Sequence, residues 1–228
     1  MLAQEIEPTS GKVDLRKKQS IVRDQGMRPT CLACAATSGH EYLRSDERCL
    51  SVEYLHWASV KRDGASKQGV SLKTTVEVLA DTGQPYEEVW PYRYDVDDTA
   101  SDYAPPTTIC SDDCFRITLE KEIRPSVEDL KLHLRMGRAV VIGIRLFYGF
   151  HSSVDGKIQL PKVGEPPSGS HAVLLVGYDD YEQNFIFKNS WGNKWGDVGY
   201  GLLPYSYVLN NTLAAHVFSN EDPGGRNE

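Results

Sequence analysis

The stretch from residue 22 to 43, VRDQGMRPTCLACAATSGHEYL, places two of the chain's five cysteines three residues apart, behind a Gly and a Pro. Pro29 and Thr30, the latter a helix-capping residue type, precede Ala33, Ala35 and Ala36, which predicts a helix over 30–44 whose first turn carries Cys31. The unsatisfied N–H groups of a first turn favour a thiolate and lower a thiol pKa toward roughly 3.5–7.5. Cys34 lies one turn further in. Three readings compete for the pair: a reactive thiol with a buried bystander, half of a zinc site, or a redox pair.

Outward from this stretch, SVEYLHWASVKR (51–62) and SLKTTVEVLADTG (71–83) predict two more helices, the second with Leu72, Val76 and Leu79 on one face and Gly83 as its stop. An acidic, Pro-containing passage (95–114) reads as a surface loop with solvated carboxylates at Asp95, Asp97 and Asp98, whose spacing is not that of a calcium loop. SVEDLKLHLRMG (126–137), capped by Ser126, is a fourth helix. The pattern then changes to β-branched and aromatic runs, AVVIGIRLF, HAVLLVGYD, NFIFKNS and LAAHVFS, separated by Gly, Asn and Asp turns. Helical runs followed by β runs predict an α+β fold in one domain. Its helical lobe covers about 25–115 and its β lobe about 116–220, with 1–24 packing across and the site in the cleft between the lobes.

The 228 residues are 40% hydrophobic, enough for one substantial core or two small ones. A net charge of −7, with Arg16 to Lys18 as the one dense basic run, argues against nucleic acid. No apolar run approaches the ~20 residues that span a bilayer, and Glu5, Glu7 and Pro8 sit where a secretory signal would be apolar, so no membrane partner and no encoded export are expected. Cys31, Cys34, Cys49, Cys110 and Cys114 are odd in number, so at least one thiol is free; a bridge between Cys110 and Cys114 stays open.

A nucleophilic thiolate needs an imidazole, a group to orient it, and donors for the developing oxyanion. His171 opens a strand after the flexible PPSGS and would lie at the sheet edge facing a cleft. Asn189 ends the next strand, within reach of one ring nitrogen if the two strands pair. Gln25, six positions before Cys31, supplies a side-chain N–H to add to the Cys31 backbone N–H. His40, His56, His133, His151 and His216 have no such setting and read as surface or core residues.

These residues carry a resemblance to the papain-like cysteine peptidases. VDLRKKQSIVRDQGMRPTCLACAA resembles the start of the mature enzymes and LSVEYLHW their second helix; TGQPYEEVWPY resembles their Tyr-Pro-Tyr-like turn. GSHAVLLVGYD and KNSWGNKWGDVGYGLLP resemble the segments that carry their His and Asn. The resemblance implies a two-lobe fold with a C-terminal antiparallel β-sheet or barrel. It implies Cys31 as nucleophile, His171 as general base and acid, Asn189 as orienter, Gln25 as oxyanion donor, and Trp191 as the ring shielding the Asn–His bond. His171 and Asn189 follow Cys31 by 140 and 158 residues, near the ~130–150 of this family. Gly69, Val70 and Ala172, with Trp191, fall where the family lines its substrate cleft.

The resemblance further implies a monomeric peptidase that forms a Cys31 thioester, cleaves peptide or protein substrates without a cofactor or metal, and meets protein inhibitors. Two features depart from the pattern. The family's extra cysteine is Arg28, so its usual disulfide cannot form, and the Trp after the nucleophile is Leu32; Cys34 takes an aromatic core position and is expected to be a buried apolar thiol. With about a dozen residues before VDLRKK, a short form without a propeptide is expected. The rivals are a zinc site of Cys31, Cys34, Cys110 and Cys114, an acyl transferase or transpeptidase using the same thioester, and a silent binding protein.

Overall fold

The computed structural model describes residues 11–219 apart from 46, 65–69 and 99. After one short strand come three helices, α1 (Cys31–Arg44), α2 (Val52–Asp63) and α3 (Leu72–Asp81). Ser51 and Ser71 cap the second and third, each side-chain oxygen accepting from a backbone N–H three residues on, at 3.0 Å in both cases. Thr30 occupies the capping position of α1 but makes no capping bond, because its hydroxyl pairs instead with the Tyr92 hydroxyl at 2.7 Å.

The strands are β1 (Lys12–Asp14), β2 (Leu119–Glu122), β3 (Val140–Leu146), β4 (Gly169–Asp179), β5 (Asn184–Lys188), β6 (Tyr200–Pro204) and β7 (Thr212–Ser219), with α4 (Val127–Arg135), α5 (Tyr148–His151) and α6 (Tyr205–Asn211) between them. They form one antiparallel sheet in the order β2-β7-β3-β4-β5-β6, with β1 added along the far end of β4. Strand β4 has period-2 alternation with both faces buried. Ala172, Leu174 and Val176 join α1, α2 and α3 in one core, and Val173, Leu175 and Tyr178 join α4 and α6 in the other. Gly39 lets α1 close on the sheet, since a Cβ there would stand 3.1 Å from the Phe218 ring.

β4 is paired on both sides from Leu174 onward, while at His171 its one strand partner among the described residues is Ile144 of β3, so that residue stands where the sheet is open on one side. Of the segment expected to pack across the lobes, residues 11–24 are described: β1 pairs with β4, and Asp24 forms a bridge with Trp191. The Arg23 guanidinium holds the buried Glu41 of α1 at 2.6 Å, and the same carboxylate accepts from the Leu50 N–H at 2.7 Å. The approach to Gln25 is thereby fastened to both the helix and the sheet. All five cysteines are free thiols, so Cys110 and Cys114 are not bridged. No helix among the described residues is long and apolar enough to cross a membrane.

Candidate active site

Cys31 is the first residue of α1, where a helix leaves its N–H groups without internal partners. The side chain is half-buried, against the backbone of Ala172, the residue after His171. Burial raises the thiol pKa, while the backbone groups of Ala172, Leu32 and Cys31 itself pull it back. The expected depression at a helix start is therefore outweighed by desolvation in the resting site. Cys34 is buried one turn on, its pKa pushed up to about 12 by burial, as an apolar thiol should be.

His171 Nε2 and Asn189 Oδ1 are 2.8 Å apart, and the Ser190 N–H donates to the same oxygen at 2.9 Å. An amide oxygen can only accept from the ring, so the proton sits on Nε2 and the lone pair on Nδ1. Trp191 lies over the imidazole with ring centroids 5.0 Å apart, and Phe150 meets its edge at 5.7 Å. Burial lowers the His171 pKa to about 4; the bond to Asn189 works in the opposite direction and the neighbouring His151 in the same one.

Gln25 is buried as well. Its Oε1 accepts from the Ser190 hydroxyl at 2.7 Å, and its Nε2 donates to the Arg28 carbonyl at 2.8 Å, which leaves one of the two amide hydrogens for another acceptor. Its own N–H donates to the Ser190 carbonyl at 2.8 Å. The Gln25 turn and the Asn189–Trp191 turn thus hold one another. Ala172 is buried beside Cys31, Val70 is half-buried just ahead of the α3 cap, and Gly69 lies outside the described residues.

Three residues near the site carry roles that the sequence alone does not disclose. His151 stacks on Trp191 at 5.5 Å with planes 11° apart; only the fold brings α5 to that ring. Asp98, expected to be solvated, is instead partly buried, paired with Arg28 at 2.5 Å and His56 at 2.9 Å, and its pKa is lowered: the histidine and guanidinium outweigh the burial that opposes them. Arg28 is itself buried. A cation needs such partners when buried, and that is the signal in the sequence that an unpaired reading of the acidic loop passes over. Among the described residues no three His, Cys, Asp or Glu side chains are grouped to hold a metal ion, and Cys110 and Cys114 do not join Cys31 and Cys34.

A family profile described as papain family cysteine protease matches residues 9–214. An uncharacterized peptidase C1-like protein of Acanthamoeba polyphaga mimivirus is 32% identical over 155 residues, 64% of this chain and 50% of that protein. The oryzain beta chain of Oryza sativa subsp. japonica is 26% identical over 205 residues, 86% of this chain and 42% of that protein. The chain therefore spans about half the length of these curated relatives. Among solved structures, xylellain, a cysteine protease from Xylella fastidiosa, superposes with a TM-score of 0.83 at 28% identity, covering 92% of this chain and 86% of that one. Digestive procathepsin L 3 of Tenebrio molitor larval midgut, at 23% identity and a TM-score of 0.75 over 94% of this chain and 71% of that one, shares the fold.

Proposed function

Since the chain belongs to the papain family of cysteine proteases, we propose that it is a cysteine peptidase, an endopeptidase acting through a Cys31 thioester with His171 as base and acid. The observation that carries this reading is the buried His171 Nε2–Asn189 Oδ1 bond of 2.8 Å under Trp191. It fixes the tautomer with Nδ1 free to take a proton, while Cys31 opens α1 against the adjoining Ala172 backbone.

Cys31 gives its proton to His171 Nδ1, and the resulting imidazolium is stabilised by Asn189 Oδ1. The sulfur attacks a peptide carbonyl, whose electron pair moves to the oxygen. That oxyanion is held by the Cys31 N–H and by the Nε2 hydrogen of Gln25 that Arg28 does not use. As the C–N bond breaks, His171 protonates the leaving amine and the thioester remains. His171 then takes a proton from water as hydroxide adds to the thioester, and the adduct collapses to the free acid by expelling the Cys31 thiolate, to which His171 returns the proton. Val70, Gly69, Ala172 and Trp191 are assigned to substrate contact, and the acting form is a monomer needing no cofactor.

The test is cleavage of a positional peptide library by wild type and Cys31→Ala, with and without an added amine. Free carboxyl products from wild type alone support hydrolysis. Amide products in place of acids would make the chain an acyl transferase, and identical behaviour of the two proteins would overturn the Cys31 assignment.

A further inference from the structure

The feature of the site that its chemistry leaves unused is the buried cation three residues before Cys31. Arg28 Nη1 donates to Glu53 Oε2 at 2.7 Å and to the Arg93 carbonyl at 2.5 Å; Nη2 donates to Asp98 Oδ1 at 2.5 Å and to the Tyr103 hydroxyl at 3.2 Å. Glu53, fully buried in the first turn of α2, also accepts from Tyr103 Oη at 2.5 Å and from the Arg93 N–H at 3.0 Å. His56 holds the other oxygen of Asp98 at 2.9 Å. The guanidinium stands 5.1 Å from the Tyr92 ring. Tyr92 Oη in turn donates to the Gln25 carbonyl at 2.8 Å and lies 2.7 Å from the Thr30 hydroxyl. The main-chain carbonyl of the same Arg28 accepts the Gln25 amide at 2.8 Å.

A buried ion pair rarely adds stability beyond what packed apolar side chains would give, because desolvation offsets the attraction. What a planar fork with partners on several elements does supply is one fixed position and orientation. Here its fixed end is the side chain, anchored to α2 and the 93–103 loop, and its other end is the carbonyl that sets the direction of Gln25 Nε2. Donors for an oxyanion must stand within a few tenths of an ångström of the place where charge develops.

We propose that Arg28 is a positioning residue for the oxyanion site: its ionic anchorage to Glu53 and Asp98 holds the 25–30 turn so that the Arg28 carbonyl aims the Gln25 amide at the reacting oxygen. The proposal rests on the peptidase reading. It gives the acidic loop a role in turnover through Asp98, whose carboxylate bonds Arg28 and His56 rather than the thiol or the catalytic imidazole.

The test is a double-mutant cycle on the full chain. Arg28→Lys keeps the charge and loses the fork; Asp98→Asn is a milder second variant that removes one anchor at a partly exposed position. Each is made in the wild-type and Gln25→Ala backgrounds and assayed with one fluorogenic peptide. Alkylation of Cys31 by iodoacetamide, which forms no oxyanion, is followed in parallel. A displacement of about 1 Å in a positioned group costs up to about 100-fold. Arg28→Lys is therefore expected to lower kcat by about 10- to 100-fold, with KM and the alkylation rate within about threefold of wild type. In the Gln25→Ala background the same change should cost less than about threefold, because the group it positions is gone. Asp98→Asn should follow the same pattern with a smaller loss. An equal factor in both backgrounds, an unchanged kcat, or a parallel fall in alkylation would overturn the proposal. A wild-type protein that cleaves no peptide defeats the peptidase reading and the proposal together, and is distinguished because it appears before any variant is made.

Discussion

Replacing Asn189 by Ala removes the side-chain acceptor bonded to the His171 ring. When the ring is protonated this is a charge-assisted bond at a buried site, worth about 1.5–3 kcal/mol. With each 1.36 kcal/mol equal to a factor of ten, the thiolate–imidazolium form should fall by about 10- to 150-fold. The direction follows from the titration: the bond to Asn189 raises the His171 pKa against the burial that lowers it to about 4, so its loss makes the ring a still weaker base. Two rates should fall together: alkylation of Cys31 by iodoacetamide at neutral pH, and kcat/KM on a fluorogenic peptide. Asn189→Asp retains an acceptor oxygen, adds a negative charge that favours the imidazolium, and should recover most of the alkylation rate. A folded Asn189→Ala protein that alkylates and turns over at wild-type rates would rule out this role for Asn189.

Gln25→Ala should lower kcat by about 10²–10³ with circular dichroism unchanged, since it deletes the proposed oxyanion donor. His40 is fully buried, and burial lowers its pKa from 6.5 to about 4. Its neutral form is the one the fold accepts, so the stability this gives is complete above pH 6.5 and is lost as pH falls toward 4, by about 3 kcal/mol. His40→Gln should reduce the fall of the urea midpoint over that range, leaving the share that the buried His171 contributes with the same sign. Gly83 has φ +75°, and a Cβ there would stand 2.3 Å from the Phe115 carbonyl oxygen. Gly83→Ala should therefore lower stability in chemical denaturation by about 2–4 kcal/mol.

The helical half was legible because its signals are local. Cys31 opens α1, Ser51, Ser71 and Ser126 cap α2, α3 and α4, and Gly83 follows α3 with its N–H on the Val78 carbonyl. The strands β3, β4, β5 and β7 carry strong apolar patterns for the same reason. β1, β2 and β6 are short, and their pairing is set by partners far along the chain, as when Lys12 meets Asp179 or Leu119 meets Ser219. Residue types and spacing singled out Cys31, His171, Asn189 and Gln25. Local pattern could not supply the burial that reverses the expected thiol shift. Nor could it supply the His151–Trp191 stack, or the partners of Arg28, which lie 25 and 70 residues away at Glu53 and Asp98.

The functional reading turns on Cys31 being the thiol this fold activates, and it is tested by the order in which the five cysteines are alkylated at mildly acidic pH, read by peptide mapping. An ordinary thiol is protonated there and reacts slowly, whereas one that can pass its proton to an imidazole does not depend on bulk pH in the same way. Cys34 and Cys114 are buried, Cys49 is half-buried and Cys110 is exposed, whereas Cys31 opens α1 beside Ala172, the residue after His171. The predicted result is Cys31 modified well ahead of the other four, with peptide cleavage lost in proportion to its modification. Labelling of Cys110 or Cys34 first, or full cleavage activity with Cys31 modified, would show that Cys31 is not the reacting thiol.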